Sequence, residues 1–417
     1  MAMTRLRVPT LLLLAGLPMG AGPLYADAVV DWNAIAMQTI TTSVPPHPGT
    51  TGILDLAQVQ AAVYDAVEAI DGRYWPYRVV IPGASGSLSS AAAKAAHDVL
   101  VHIYPSQAAA LDKTYGDYLA ANGLAPDDPG VVVGERAAAG IVTLNTDDGR
   151  FPANALDSVR GSDPSLADAT PSPSELAQVS PSTLPNAEQF RLSPLPSPTS
   201  RRYARDYNEV KSLGGLLSAD RTADQTELAL FWSANYFALW NQALRDIADA
   251  HVPDIGRSAR LFALATLATA EAVLSASEAN SNDVSRHPPT MIQKGNHDGN
   301  PRTDGDSTWR PLVDTPPDPD YEAGASLTRA VTRTLALFFD TDDMTFTVTT
   351  TNPEAAEPTR TFDRFSDAAR EVVEARVYGG TQFRTAAVVA RRHGRQVADW
   401  VFRHLLRPID EESDGGD

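Results

Sequence analysis

The chain has 417 residues, no cysteine and a formal net charge of −18. Without thiols there are no disulfides, no thiolate catalysis and no cysteine metal sites, so the core alone must stabilise the fold. A surface this acidic argues against nucleic acid or anionic lipid as a partner.

The N-terminus reads as a secretory signal peptide. MAMTRLR supplies Arg5 and Arg7, Val8 to Gly22 is largely apolar, and LYADA offers small-residue cleavage sites near Ala26 or Ala28. The apolar run is shorter than the roughly 20 residues a spanning helix needs, and Pro9 and Pro18 interrupt it. Residues 1–26 are therefore expected to be removed on export to the periplasm or outside the cell. No later stretch reads as a membrane span, so no membrane partner is expected after cleavage.

Most of the remaining chain reads as helix. Leu56, Val59, Val63, Val67 and Ile70 recur at three and four residues, an amphipathic stripe over 54–70. Further helices are predicted near 90–104, 106–121 and 130–146, within an N-terminal helical part spanning 27–148. Residues 149–200 differ: nine prolines between Phe151 and Ser200 exclude a helix and predict an extended wrapping segment, with AEQFRL as an apolar anchor. A C-terminal helical bundle is predicted over 201–408. In it Thr222 and Gln225 form a capping box ahead of TELALFWSANYFALW. Ile255 to Asn280 is apolar on most faces and belongs mid-bundle. TFTVTT at 345–350 reads as a strand, and helices follow over 366–378 and 381–406, separated by Gly379 and Gly380. Residues 409–417 form an acidic tail predicted to be disordered. There is no internal repeat, and the expected fold is all-α, with a proline-rich arm.

Tyr321 to Ala330, YEAGASLTRA, opens another helix: Leu327, Val331, Leu335 and Phe338 form its core stripe. A helix entrance with a glycine suits an anion, yet Glu322, Ala323, Gly324 and Ala325 supply no hydroxyl, imidazole or cation. The usual motifs for zinc proteases, phosphate-binding loops, dinucleotide folds and serine hydrolases are missing. GNHDGNPRTDGD at 295–306 misses the calcium-loop spacing and reads as a turn-rich surface loop. His393 and His404, on a helix among arginines, read as solvated, and His102 as partly buried. His287 precedes two prolines, on extended or turning chain. No two histidines stand at i and i+4, so no helical metal pair is expected.

Ten fragments in order carry a resemblance, among them DWNAIAMQTI, AAVYDAVEAIDGRYWPY, GERAAAGIVTLNTDDG, YARDYNEVKSLGG, SARLFALATLATAEA, FFDTDDMTFTVTT and RVYGGTQFR. Through them the chain resembles the vanadium-dependent haloperoxidase and type 2 phosphatidic acid phosphatase superfamily, in its exported bacterial haloperoxidase-like branch. The resemblance implies two packed helical bundles. It also implies a pocket for vanadate or a phosphoryl group, built from Lys-x6-Arg-Pro, Pro-Ser-Gly-His and Arg-x5-His. The last histidine bonds covalently to vanadium or phosphorus, and the other serves as acid or base.

Laid on those positions, this sequence is depleted. Asn280 stands for the lysine and His287 for the arginine, ahead of a matching Pro288. Glu322 replaces proline, Ala323 serine and Ala325 histidine, with Gly324 retained. Arg376 is retained, and Gln382 stands for the terminal histidine. A hydrogen bond to a charged group contributes roughly 1.5–3 kcal/mol. Losing four or five forfeits on the order of 6–15 kcal/mol, against about 8 kcal/mol for micromolar binding. The resemblance therefore implies a vestigial pocket that does not hold vanadate tightly, with no other cofactor expected.

Arg376 and Glu322 could instead pair and fill the emptied pocket. Three functions compete. The first is a non-catalytic protein binding an unknown small molecule or protein. The second is an enzyme repurposing Arg286, His287, Glu322 and Arg376. The third is an active haloperoxidase or phosphatase in which Arg286, Lys294 or Arg384 replaces lost cations.

Overall fold

The computed structural model describes residues 27–44, 49–145, 190, 192–280, 287–314 and 319–409. The expected signal peptide, most of the proline-rich segment, Arg286 and residues 410–417 of the expected acidic tail lie outside them.

Helix α1 (Ala28–Thr41) starts at Asp27, whose carboxylate accepts from the Val29 N–H at 2.9 Å. Helices α2 (Gly49–Asp71), α3 (Leu88–Ile103), α4 (Ala108–Ala121) and α5 (Pro129–Asn145) follow, and α1 to α5 pack into a first bundle. The stripe read over 54–70 underestimates α2. Residues 51–68 are buried on every face, because α3 and α5 cover one side and the second bundle the other. Two of its buried carboxylates are bonded: Asp65 accepts from the N–H groups of Tyr77, Arg78 and Val79 at 2.6, 3.1 and 2.9 Å, and Asp55 from the Tyr104 hydroxyl at 2.7 Å.

Phe190 and Leu192, the anchors in AEQFRL, do pack on the core, Phe190 with its ring 6.5 Å from Trp400. Helix α6 (Arg201–Leu213) precedes α7 (Ala223–Phe231), whose Thr222–Gln225 capping box is fully formed. The expected single helix then breaks. Asn235 accepts from the N–H groups of Phe237 and Ala238 and starts α8 (Tyr236–His251). The break stacks Trp232 on both Tyr236 and Trp240.

Helix α9 (Ile255–Asn280) corrects the membrane expectation: Ile255–Ala276 is long and apolar enough to cross a bilayer. Its most apolar stretch is instead wholly buried inside the protein. It packs against α2 on one side and, on the other, against α11 (Pro319–Phe338) and α13 (Arg384–His404), so it joins the two bundles. Helices α10 (Pro288–Gln293) and α12 (Phe365–Tyr378) complete the second bundle. One apolar core runs through both.

The predicted strand exists as β1 (Asp343–Thr349), but it pairs antiparallel with β2 (Thr359–Arg364), which the sequence reading missed. The hairpin lays Phe346 and Phe362 together, 5.5 Å between rings, on the second bundle. The fold is all-α apart from this hairpin. The 295–306 loop closes on itself, with Asp298 accepting from Asn300 and Thr303 and Asn296 from Gly305. Among the described residues no cluster of acidic or histidine side chains is arranged to hold a metal ion.

Candidate functional site

The second bundle brings three of the residues singled out in the sequence together. Arg376 lies in the last turn of α12, 1% exposed. Its helix ends at Gly379, and Gly380, at φ 76°, turns the chain back. The N–H groups of Thr381 and Gln382 then donate to the Arg376 carbonyl at 3.0 and 3.3 Å. That fold-back delivers the Gln382 side chain to its own guanidinium: Arg376 Nε donates to Gln382 Oε1 at 2.8 Å. The helix C-terminus adds favourable dipole potential for the cation.

Gly324, buried in the first turns of α11, completes the group. A β-carbon there would lie 2.8 Å from Arg376 Nη1 and 2.9 Å from the Tyr236 ring. The glycine is therefore required for guanidinium and aromatic ring to approach the backbone this closely. Tyr236 was not identified from the sequence. It reaches this position only because Asn235 starts a new helix, and an Asn inside an apolar helical run was the available signal.

The other residues are dispersed or lie outside the described structure. Ala325 is wholly buried in the apolar core. His287 is half-buried at the extended N-terminal boundary of α10 (φ −70°, ψ 137°), as its following prolines predict. Asn280, Glu322 and Ala323 fall on α9 and α11, but their side chains lie outside the described residues, as does Arg286. The expected pairing of Arg376 with Glu322 therefore falls there too; the described partner is Gln382. Arg384 offers no replacement cation. Its guanidinium is committed to Glu209 and Glu374, and those hydrogen bonds hold it well above the ordinary arginine range.

Two histidine expectations are corrected. His102 is exposed. His393 is 2% exposed, between Ser326 on α11 and Ser275 on α9, with Nδ1 and Nε2 at 2.7 and 3.0 Å from their hydroxyl oxygens. Ser275 gives its one hydroxyl proton to the Glu271 carbonyl, so His393 Nε2 donates to Ser275 and Nδ1 accepts from Ser326. Burial holds its pKa down at about 4, which keeps the imidazole neutral near pH 7 and makes Nδ1 the acceptor. A serine donating to a histidine resembles an activated nucleophile. Both residues are closed from solvent, so the pair instead ties α9, α11 and α13 together. His404 is exposed, as expected.

Elsewhere an open groove of about 680 Å³ lies beside α7 and α12, lined by Glu227, Glu371, Glu374, Arg360, Arg370 and Tyr378 among others. It includes none of the residues singled out for the pocket.

Residues 260–411 match the family described as VCPO second helical-bundle domain. The structure is similar to the first bacterial vanadium-dependent iodoperoxidase (TM-score 0.71, 21% identity, covering 91% of this chain and 96% of that one). It is also similar to a bacterial vanadium-dependent chloroperoxidase. The apo form gives a TM-score of 0.63 at 18% identity over 87% and 94% of the two chains. The holo form gives 0.60 at 17% over 85% and 91%. No curated protein sequence matches. The matched domain covers residues 260–411, and the whole chain shares the helical-bundle fold of these solved vanadium-dependent haloperoxidases.

Proposed function

We propose that this is an exported haloperoxidase-like protein that has lost vanadate binding and phosphoryl transfer, and that serves as a binding protein. The observation carrying the proposal is the Arg376–Gln382 hydrogen bond of 2.8 Å. An amide stands where the resemblance places the covalent imidazole, and its oxygen already engages the retained arginine. An amide is neither a nucleophile nor a proton carrier at neutral pH.

The rest of the donor set supports the same reading. Ala325 stands for the second histidine and packs in the apolar core. The space in front of Gly324 is taken by Arg376 and Tyr236. A tetrahedral oxyanion needs several convergent donors, and vanadate does not fit the donors found here. A repurposed enzyme built on His287, Glu322 and Arg376 has less support, since Arg376 is closed from solvent and held by Gln382.

The test is a pair of assays on the vanadate-loaded protein: bromide oxidation with peroxide, and hydrolysis of a phosphate ester. No turnover above buffer is expected in either. Turnover abolished by Arg376→Ala would overturn the proposal. Export is tested separately by sequencing the N-terminus of protein recovered outside the cytoplasm, which is expected to start close to Asp27.

A further inference from the structure

The second bundle carries a concentration of arginines that the vestigial pocket does not use. Arg329 and Arg333 are one turn apart on α11, Arg391 and Arg395 one turn apart on α13, with Arg392 beside them and Arg370 on the adjoining α12. The two main helices meet closely, since Gly394 on α13 lies against the backbone of Ser326 on α11. The cations of Arg333, Arg391 and Arg395 therefore all act on Arg329. This happens on a chain whose formal net charge is −18.

Counter-charge is unevenly distributed. Arg333 is paired with Asp399 at 2.6 Å, Arg395 reaches the same carboxylate at 3.5 Å, and Arg370 is paired with Asp367. The side chains of Arg329, Arg391 and Arg392 make no hydrogen bond or ion pair with any described residue. Arg329 Nη1 is buried with no acceptor among them. Burial and the neighbouring guanidiniums hold Arg329 down at about 10, offset in part by the Asp342 carboxylate. A desolvated N–H without an acceptor is costly, and the nearby cations raise that cost. An external anion would relieve both. The cluster is all arginine and no lysine, the side chain whose planar fork holds phosphate and sulfate oxygens in pairs.

We propose that Arg329, Arg391 and Arg392, framed by Arg333, Arg370 and Arg395, form a binding site for a ligand carrying phosphate or sulfate groups. The site is separate from the Arg376–Gln382 group, and its failure would leave the reading of that group untouched.

The experiment is calorimetric titration of the full chain with pyrophosphate and with inorganic phosphate at low salt, beside sedimentation with phosphatidylglycerol vesicles. Saturable binding that weakens as salt rises is expected. Arg329→Gln and Arg391→Gln should each weaken it by roughly tenfold or more. Arg391 is partly exposed, so its variant keeps the test valid if loss of Arg329 disturbs folding. Pyrophosphate binding without vesicle binding supports the site with a soluble ligand, and vesicle binding alone supports it with a lipid headgroup. No saturable binding in any arm, or binding unchanged in both variants, overturns the proposal.

Discussion

Arg376 Nε donates to Gln382 Oε1 at 2.8 Å, inside a fold-back of the chain that buries the guanidinium almost completely. One donor of a retained cation, Nε, is thereby satisfied by an amide six residues on, where the superfamily resemblance expects an imidazole. Removing the amide should leave a buried charged donor short of its partner. Gln382→Ala is expected to lower unfolding free energy by about 1–3 kcal/mol in urea titrations. A change within about 0.5 kcal/mol, the range of an ordinary surface substitution, would mean that the hydrogen bond contributes little.

Gly324 is tested by adding one methyl group. The β-carbon of Gly324→Ala would lie 2.8 Å from Arg376 Nη1 and 2.9 Å from the Tyr236 ring. Overpacking of this kind costs about 1–3 kcal/mol, readable as a lower denaturation midpoint. An alanine variant as stable as the parent would show that the pocket is looser than the packing implies.

The fit of α11 against α13 predicts a larger effect. In Gly394→Ala the new β-carbon would meet the Ser326 carbonyl oxygen at 2.0 Å, a backbone atom that cannot swing aside. The two helices must separate, displacing Ser326 from His393. The variant is expected to be the least stable of the substitutions described here. Hydrogen exchange should show the loss concentrated in α11 and α13, and unchanged protection there would count against the close approach.

His393 makes stability depend on pH. Its unfolded imidazole titrates near 6.5 and the folded one at about 4. Between those values the unfolded chain binds the extra proton, so the contribution is full above 6.5 and falls as pH drops towards 4. The size is on the order of 3 kcal/mol. Urea titrations of the parent and of His393→Gln across that window check it: the parent should lose stability more steeply than the variant. Parallel curves would show that the buried imidazole does not carry the dependence.

Much of this was legible in the sequence where the cause is local. The Thr222–Gln225 box and the apolar length of Ile255–Asn280 need only neighbouring residues to be read. Phe190 and Leu192 stood out as apolar side chains in a polar, proline-rich run. Features set by distant contacts were not legible. Strand β2 exists because Phe362 packs on Phe346 and the bundle beneath, and TRTFDR alone looks polar. His393 was read from its arginine neighbours. Yet Ala390, Val397 and Val401 put position 393 on the buried face of α13, and that periodic signal was available. The depleted pocket was visible position by position, but the partner of Arg376 was not, because it depends on the turn at Gly380.

The most direct measurement of the central claim is calorimetric titration of vanadate into the Arg329→Gln/Arg391→Gln double variant, which removes the second anion site from consideration. No saturable binding tighter than about 1 mM, some 4 kcal/mol, is predicted. Micromolar binding at one vanadate per chain would contradict the loss of the oxyanion pocket at Gly324, Arg376 and Gln382.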